Sequence, residues 1–278
     1  QFEQGEGYLE EAVELGQRSG DYVYTGMAIS CHMNLSYITK SLDQIKEINA
    51  TYSALAEQMR SELILQNITL SIQYARCLQG FTEGNKTFND FSFDEKKFLQ
   101  QVELEDSKMI TNFHYATYKL QINYLYRNYQ EALTFADQAE AVYPYVKHSP
   151  HLWEYQFYKM LARLAVWDEY DDRQRDVHTK AYHQLLKDFK THSAYNQDLF
   201  GYKIALLEAE YANATRDVEQ AMTKYEQAIE EAKYDRDIAL CVELTGQFYQ
   251  KLGHKRIARV YMEDAIDADL FNCCDDAS

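Results

Sequence analysis

The sequence predicts an all-α fold, a right-handed superhelix of antiparallel helix pairs, and three observations carry that expectation. Glycine (10) and proline (2) are scarce among 278 residues, so few positions interrupt a helix. Apolar residues recur at i, i+3, i+4 and i+7 almost throughout. The gaps between these periodic segments are short, and short connections between long helices favour antiparallel neighbours.

Taken in chain order, the periodicity predicts helices over 6–18, 21–39, 41–58 and 61–79, an N-terminal set of helix pairs within 1–80. The pattern breaks at Gly80–Asp94, GFTEGNKTFNDFSFD, where two glycines and two asparagines stop the helix. Phe81, Phe88, Phe91 and Phe93 predict that this stretch packs down rather than acting as a free linker. A short helix at 94–103 completes the segment 81–105. Helical periodicity resumes over 107–127, 129–143, 150–167, 172–190, 197–214, 217–232, 235–252 and 254–269, giving a repeat region over 106–271 and a tail at 272–278. The tyrosine-rich runs YVYTGM, HYATYKLQINYLYRNY and WEYQFYKM place rings every three or four residues, a packing stripe between helices whose hydroxyls reach the rim.

Within Asn128–Pro144, NYQEALTFADQAEAVYP, Ala132 and Ala139 lie seven residues apart, with Tyr129 before them and Pro144 after. The spacing recurs at Ala221 and Ala228 in VEQAMTKYEQAIEEA and at Ala258 and Ala265 in KRIARVYMEDAIDA. Ahead of the last copy, Gly246, Tyr249 and Gly253 in LTGQFYQKLGHKR supply the small, aromatic and turn positions of a preceding helix. Together these match the two-helix tetratricopeptide unit, in which small residues let paired helices approach closely. The copies stand 89 residues apart (132 to 221) and then 37 (221 to 258), so the α-solenoid they imply is degenerate.

Composition narrows the function classes. With 28 Lys plus Arg against 44 Asp plus Glu, the net charge is −16, which disfavours nucleic acid and anionic lipid as partners. The densest basic stretch, Lys251–Arg259, fits the solvated side of a helix hairpin. No apolar run approaches the roughly 18 residues of a membrane span, so no membrane insertion is expected. Five cysteines (Cys31, Cys77, Cys241, Cys273, Cys274) without CxxC spacing read as buried free thiols in a reducing, cytoplasmic setting. Five N-x-S/T sequons, at Asn34, Asn49, Asn67, Asn85 and Asn213, stand against that, but four fall inside expected helices and read as accidental. The chain starts at Gln1 without an initiator methionine or a visible signal peptide, which reads as a fragment or a processed product.

Catalytic motifs fail on spacing. There is no G-x-x-x-x-G-K-[ST], no G-x-G-x-x-G and no H-E-x-x-H, and the pairs His148/His151 and His178/His183 do not present two imidazoles on one helical face. The acidic run DEYDDRQRD offers Asp171, Asp172 and Asp176, three carboxylates of the kind with which all-helical magnesium-dependent diphosphate enzymes hold their metal. Arg173 and Arg175 interrupt it, and a capped helix start with acidic residues at the positive end of the dipole accounts for the same residues. The expectation is therefore a chain with no catalytic residues, no cofactor and no metal of its own.

Four blocks carry a family resemblance: FSFDEKKFLQQV (Phe91–Val102), YKLQINYLYRNYQEALTFADQAE (Tyr118–Glu140), FGYKIALLEAEYANATRDVEQAMTKYEQAIEEA (Phe200–Ala232) and IALCVELTGQFYQKLGHKRIARVYMEDA (Ile238–Ala265). The chain resembles the tetratricopeptide-like helical segment of very large signalling proteins. In these an AAA-type ATPase module precedes the helices, and GAF and histidine-kinase domains follow. The resemblance covers about two thirds of the chain, from near Ile29 onward, and implies an interaction and signal-coupling segment between a regulatory ATPase and a two-component kinase. Such segments run on through an aromatic-tryptophan-glycine stretch, whereas this sequence ends LFNCCDDAS. The other readings are an all-helical magnesium-dependent diphosphate enzyme using Asp171, Asp172 and Asp176, and a free-standing tetratricopeptide peptide-binding protein.

In such arrays the outward positions of each first helix line a concave groove for a protein, a peptide or a neighbouring domain. Here these positions are His114, Thr117, Gln121 and Tyr124, then Lys203, Leu206, Glu210 and Asn213, then Glu243, Gln247 and Gln250. Their mixed polar and acidic character predicts a partner with basic groups.

Overall fold

The computed structural model describes residues 2–106, 108–146 and 151–267, and among them every regular element is helical. In order these are α1 (Phe2–Ser19), α2 (Tyr22–Thr39), α3 (Leu42–Gln58), α4 (Glu62–Leu78), α5 (Glu95–Val102), α6 (Lys108–Leu125), α7 (Tyr129–Val142), α8 (His151–Ala165), α9 (Asp172–Ser193), α10 (Gln197–Ala214), α11 (Val218–Glu231), α12 (Asp235–Lys251) and α13 (Lys255–Asp267). Single 3-10 turns follow α7 (Tyr143–Tyr145) and α8 (Trp167–Glu169). Each expected helix is present. The first starts earlier than its sequence pattern, at Phe2, because Gly5 and Gly7 are accommodated inside it.

Five helix pairs turn on the same two residues. A left-handed residue ends the first helix, one cap residue follows, and the second helix begins. The left-handed positions are Gly20, Arg60, Arg127, Arg216 and Gly253, with φ between 52° and 83°. In each case the left-handed residue donates its N–H to the carbonyl three residues back, and the next residue donates to the carbonyl five back: Arg216 N to Asn213 O at 3.2 Å and Asp217 N to Ala212 O at 2.8 Å are one example. This double bond satisfies the carbonyls that a helix end leaves open. The cap residue then starts the next helix, its side chain taking up an early N–H in two of the five pairs, Asp21 from Tyr24 and Asp217 from Gln220. Gly80 makes the same turn (φ 74°) but leads into the irregular stretch before α5.

By contact the chain divides into two compact units, one of residues 1–122 with 135–154, the other of residues 123–134 with 155–278. In the first, Val13 of α1, Ile29 and Met33 of α2, Tyr52 and Leu55 of α3, and Ile64 and Ile68 of α4 form a common core. The stretch between α4 and α5 is tied to that unit by Asp90. One of its carboxylate oxygens accepts from Ser92 N, Ser92 Oγ and Phe93 N, and the other from Gln73 Nε2 and Arg76 Nε, at 2.7–3.1 Å. Burial opposes ionisation there, but these donors outweigh it and hold the carboxyl down to about 2. The phenylalanines divide: Phe88 is buried and Phe93 packs on Phe98 with ring centres 5.3 Å apart, whereas Phe81 and Phe91 are exposed. Beside them half-buried Glu95 accepts from Phe88 N, Tyr115 Oη and Lys119 Nζ, and the Lys119 ammonium lies over the faces of Phe88 and Phe135.

In the second unit α10 is buried almost all round, from Leu199 to Ala212, as expected of a helix with neighbours on several sides. It packs against α9 and α11. The alanine positions read from the sequence are contact points: Ala221 and Ala228 are fully buried, Ala258 and Ala265 nearly so. Gly246 of α12 is small for a visible reason, since a Cβ there would lie 3.1 Å from Met262 Cε and 3.3 Å from Ala258 O of α13. Among the described residues no helix is long and apolar enough to cross a membrane.

Candidate functional sites: two cavities

Of the eleven groove positions, His114, Thr117, Gln121, Tyr124, Lys203, Leu206 and Glu210 are buried, Asn213, Glu243 and Gln247 are half-buried, and Gln250 is exposed. Several are occupied by packing. Gln121 accepts a hydrogen bond from Tyr37 Oη, and Lys203 lies over the rings of Tyr202 and Phe157. Of the positions still reachable from solvent, Asn213 and Gln247 line a cavity.

In the second unit a cavity of about 190 Å³ collects four of those positions, Tyr124, Glu210, Asn213 and Gln247. Tyr225, Arg216, Asp168 and Lys251 complete its polar lining. Glu210 and Asn213 come from α10 and Gln247 and Lys251 from α12, two helices in contact with each other. Glu210 lies at the buried end, where Tyr225 Oη donates to its Oε1 at 2.5 Å. Burial raises its carboxyl above the usual carboxylate range, against the pull of hydrogen bonds from Tyr225 and Asn213 and of the Lys251 ammonium. Burial, reinforced by the Glu210 charge, also pushes the Tyr124 and Tyr225 hydroxyls well up, so both stay protonated donors. Among the lining residues, exposed Asp168 and Arg216 face each other at 3.7 Å.

In the first unit a second cavity, of about 330 Å³, lies among α2, α4, α6 and the start of α8. His114 and His151 stand against each other with ring centres 4.5 Å apart, and Tyr37 and Tyr118 pack on His151. His114 Nδ1 is 3.1 Å from Asn67 Oδ1, an acceptor, so this nitrogen carries the proton and Nε2 the lone pair. Burial pushes the His114 imidazolium pKa down to about 4; burial and the neighbouring His114 take that of His151 well below its usual value. Both rings are neutral at physiological pH.

No protein-family model matches the chain, and no curated protein does either.

Other sequence candidates are used structurally. Asp171 caps α9, its side chain accepting from Gln174 N at 2.8 Å while its own N–H donates to Gln174 Oε1 at 3.0 Å, and Asp172 faces Arg175 at 3.7 Å. Asp171, Asp172 and Asp176 do not form one of the metal-capable groupings among the described residues. The three-ligand grouping that does occur is Glu6 and Glu10 of α1 with His32 of α2. There Lys40 Nζ already lies 2.7 Å from Glu6 and Tyr52 Oη 2.5 Å from His32 Nδ1, so the cluster is an ion-pair network. His178 packs on Tyr170 and His183 on Tyr182 and Tyr211, while His148 lies outside the described residues. Cys77 and Cys241 are buried as expected, but Cys31 is exposed because it sits at the mouth of the first cavity; Cys273 and Cys274 lie outside the described residues. Sequons Asn49 and Asn67 are buried in helices, and Asn85 is exposed in the loop.

The first cavity was missed in the sequence, yet it left a signal. Ser30 and Asn34 of α2, Asn67 and Ser71 of α4, and His114 and Tyr118 of α6 are each four residues apart. Three helices thus carry a polar i, i+4 pair on a face they turn inward, where burial demands a partner.

Proposed function

We propose that this chain is a helical-repeat interaction segment, a degenerate tetratricopeptide-like solenoid that receives a basic side chain of a protein partner in the cavity around Glu210. The buried Glu210 carboxylate carries the reading. A carboxyl held above its ordinary pKa by burial weakens the fold at neutral pH, and an incoming ammonium or guanidinium would relieve that cost. The cavity volume suits one such side chain, and Tyr124, Asn213 and Gln247 supply neutral hydrogen-bonding groups around it. The five equivalent turns and the buried alanines support a repeat architecture. In the larger setting that the sequence resembles, the partner is a peptide or a neighbouring domain, and the segment couples a regulatory ATPase to a kinase.

A synthetic peptide array tests this. Bound peptides should be enriched in Lys or Arg, and Glu210→Gln should weaken them by about tenfold or more. Selection of acidic or purely apolar peptides, or undiminished binding by Glu210→Gln, would contradict it.

A further inference from the structure

The cavity of the first unit differs in kind. Among the described residues that line it, none is Asp, Glu, Lys or Arg, although a quarter of the chain (26%) is charged. Its volume, about 330 Å³, falls in the range of small-molecule sites, and its lining combines apolar and aromatic side chains with the polar groups of Ser30, Asn34, Asn67, Ser71, His114 and His151. We propose that this cavity binds an uncharged, ring-bearing small molecule that offers a hydrogen-bond donor.

Three observations converge. The rings of His114, His151 and Tyr118 provide flat walls against which another ring can pack, and Met33 and Ile110 supply polarizable apolar surface. His114 is fixed by Asn67 in the tautomer that keeps its lone pair on Nε2, so the site holds an acceptor suited to an N–H or O–H. His151, 3% exposed, has an Nδ1 without a hydrogen-bond partner, a buried polar atom that packing alone does not satisfy. Among the described lining residues an ionic ligand would meet no opposite charge, and it would lose its hydration, so neutral molecules are selected. The mouth is open: Cys31 and Tyr145 line the cavity and are both solvent-exposed.

Cys31 makes a built-in reporter. The rate of its alkylation by iodoacetamide is followed on the intact chain by mass spectrometry of the Cys31 peptide, with indole and phenol as neutral donor probes, benzamidine as the cation and benzoate as the anion. At roughly twice its Kd a neutral probe should slow the reaction about threefold, following the free fraction of sites. The two ions at equal concentration should leave the rate unchanged. Phenol should also protect at lower concentration than toluene, which has the ring but no donor, and His114→Phe should erase that difference while its circular dichroism stays helical. Absence of protection by both neutral probes, equal protection by the ions, or phenol no better than toluene on the unaltered chain would overturn the proposal. The last comparison needs no variant, so a misfolded His114→Phe does not rescue it.

Discussion

The two units are assembled by the same device and end with opposite interiors. Each uses helix pairs joined by a left-handed residue and a cap, and each leaves a cavity between helices. In the first unit the cavity holds two neutral imidazoles and, among the described residues, no charged side chain. The second builds its cavity around a buried carboxylate with further charged residues in its lining. The difference shows that the backbone plan fixes where a cavity opens, while a handful of inward side chains decides what can enter it.

The units also spend their buried charges differently, and mutation separates the two uses. The largest effect is expected at Lys119. Lys119→Met leaves the half-buried Glu95 carboxylate without its cation, and chemical denaturation should show a loss of about 3 kcal/mol. Asp90→Asn should cost about 2 kcal/mol, because a neutral amide accepts fewer of the five bonds that organise the loop before α5. Its pH dependence has a definite sign. The folded Asp90 carboxyl titrates near 2, below its ordinary 3.8, so its contribution is complete above pH 3.8 and is lost as pH falls toward 2. Wild type and Asp90→Asn should therefore converge in stability over that interval.

Glu210 of the second unit should behave in the opposite way. Its folded pKa is raised, so the stability associated with it is present below the ordinary carboxylate value of 4.5 and lost as pH rises through the folded value. Glu210→Gln keeps an acceptor for Tyr225 and removes that loss. Thermal or chemical unfolding at neutral pH should show a gain of about 0.5–1 kcal/mol that shrinks on acidification. Equal destabilisation at every pH would make Glu210 a structural residue and dissolve the contrast between the units. The smallest effect belongs to the shared device: Arg60→Gly relieves a left-handed φ of 52° and should add about 0.5 kcal/mol, read as a small shift of the denaturation midpoint.

The helices were legible because their signals are local. Apolar periodicity and scarce glycine and proline located all thirteen, and alanines such as Ala221 and Ala228 announced close helix contacts by spacing alone. The turns were half legible. Gly253 reads as a turn from its identity, but Arg60, Arg127 and Arg216 adopt the same conformation with a side chain that gives no hint of it. For the groove, helical phase selected Glu210, Asn213 and Gln247, which do share a cavity, and also Leu206 and Thr117, which are fully buried. Phase on one helix does not say which neighbours cover it. The Glu95–Lys119 pair and the facing of His114 with His151 depend on residues 24 and 37 positions apart (95 to 119, 114 to 151), beyond any local pattern.

One NMR titration reaches the contrast between the cavities directly: the imidazole protons of His114 and the carboxyl carbon of Glu210, followed through the same pH series. His114 should stay neutral to about pH 4 and Glu210 should take up its proton above the ordinary 4.5. A His114 that titrates near 6.5, or a Glu210 that titrates at or below 4.5, would contradict the assignment of a neutral cavity to one unit and a buried carboxylate to the other.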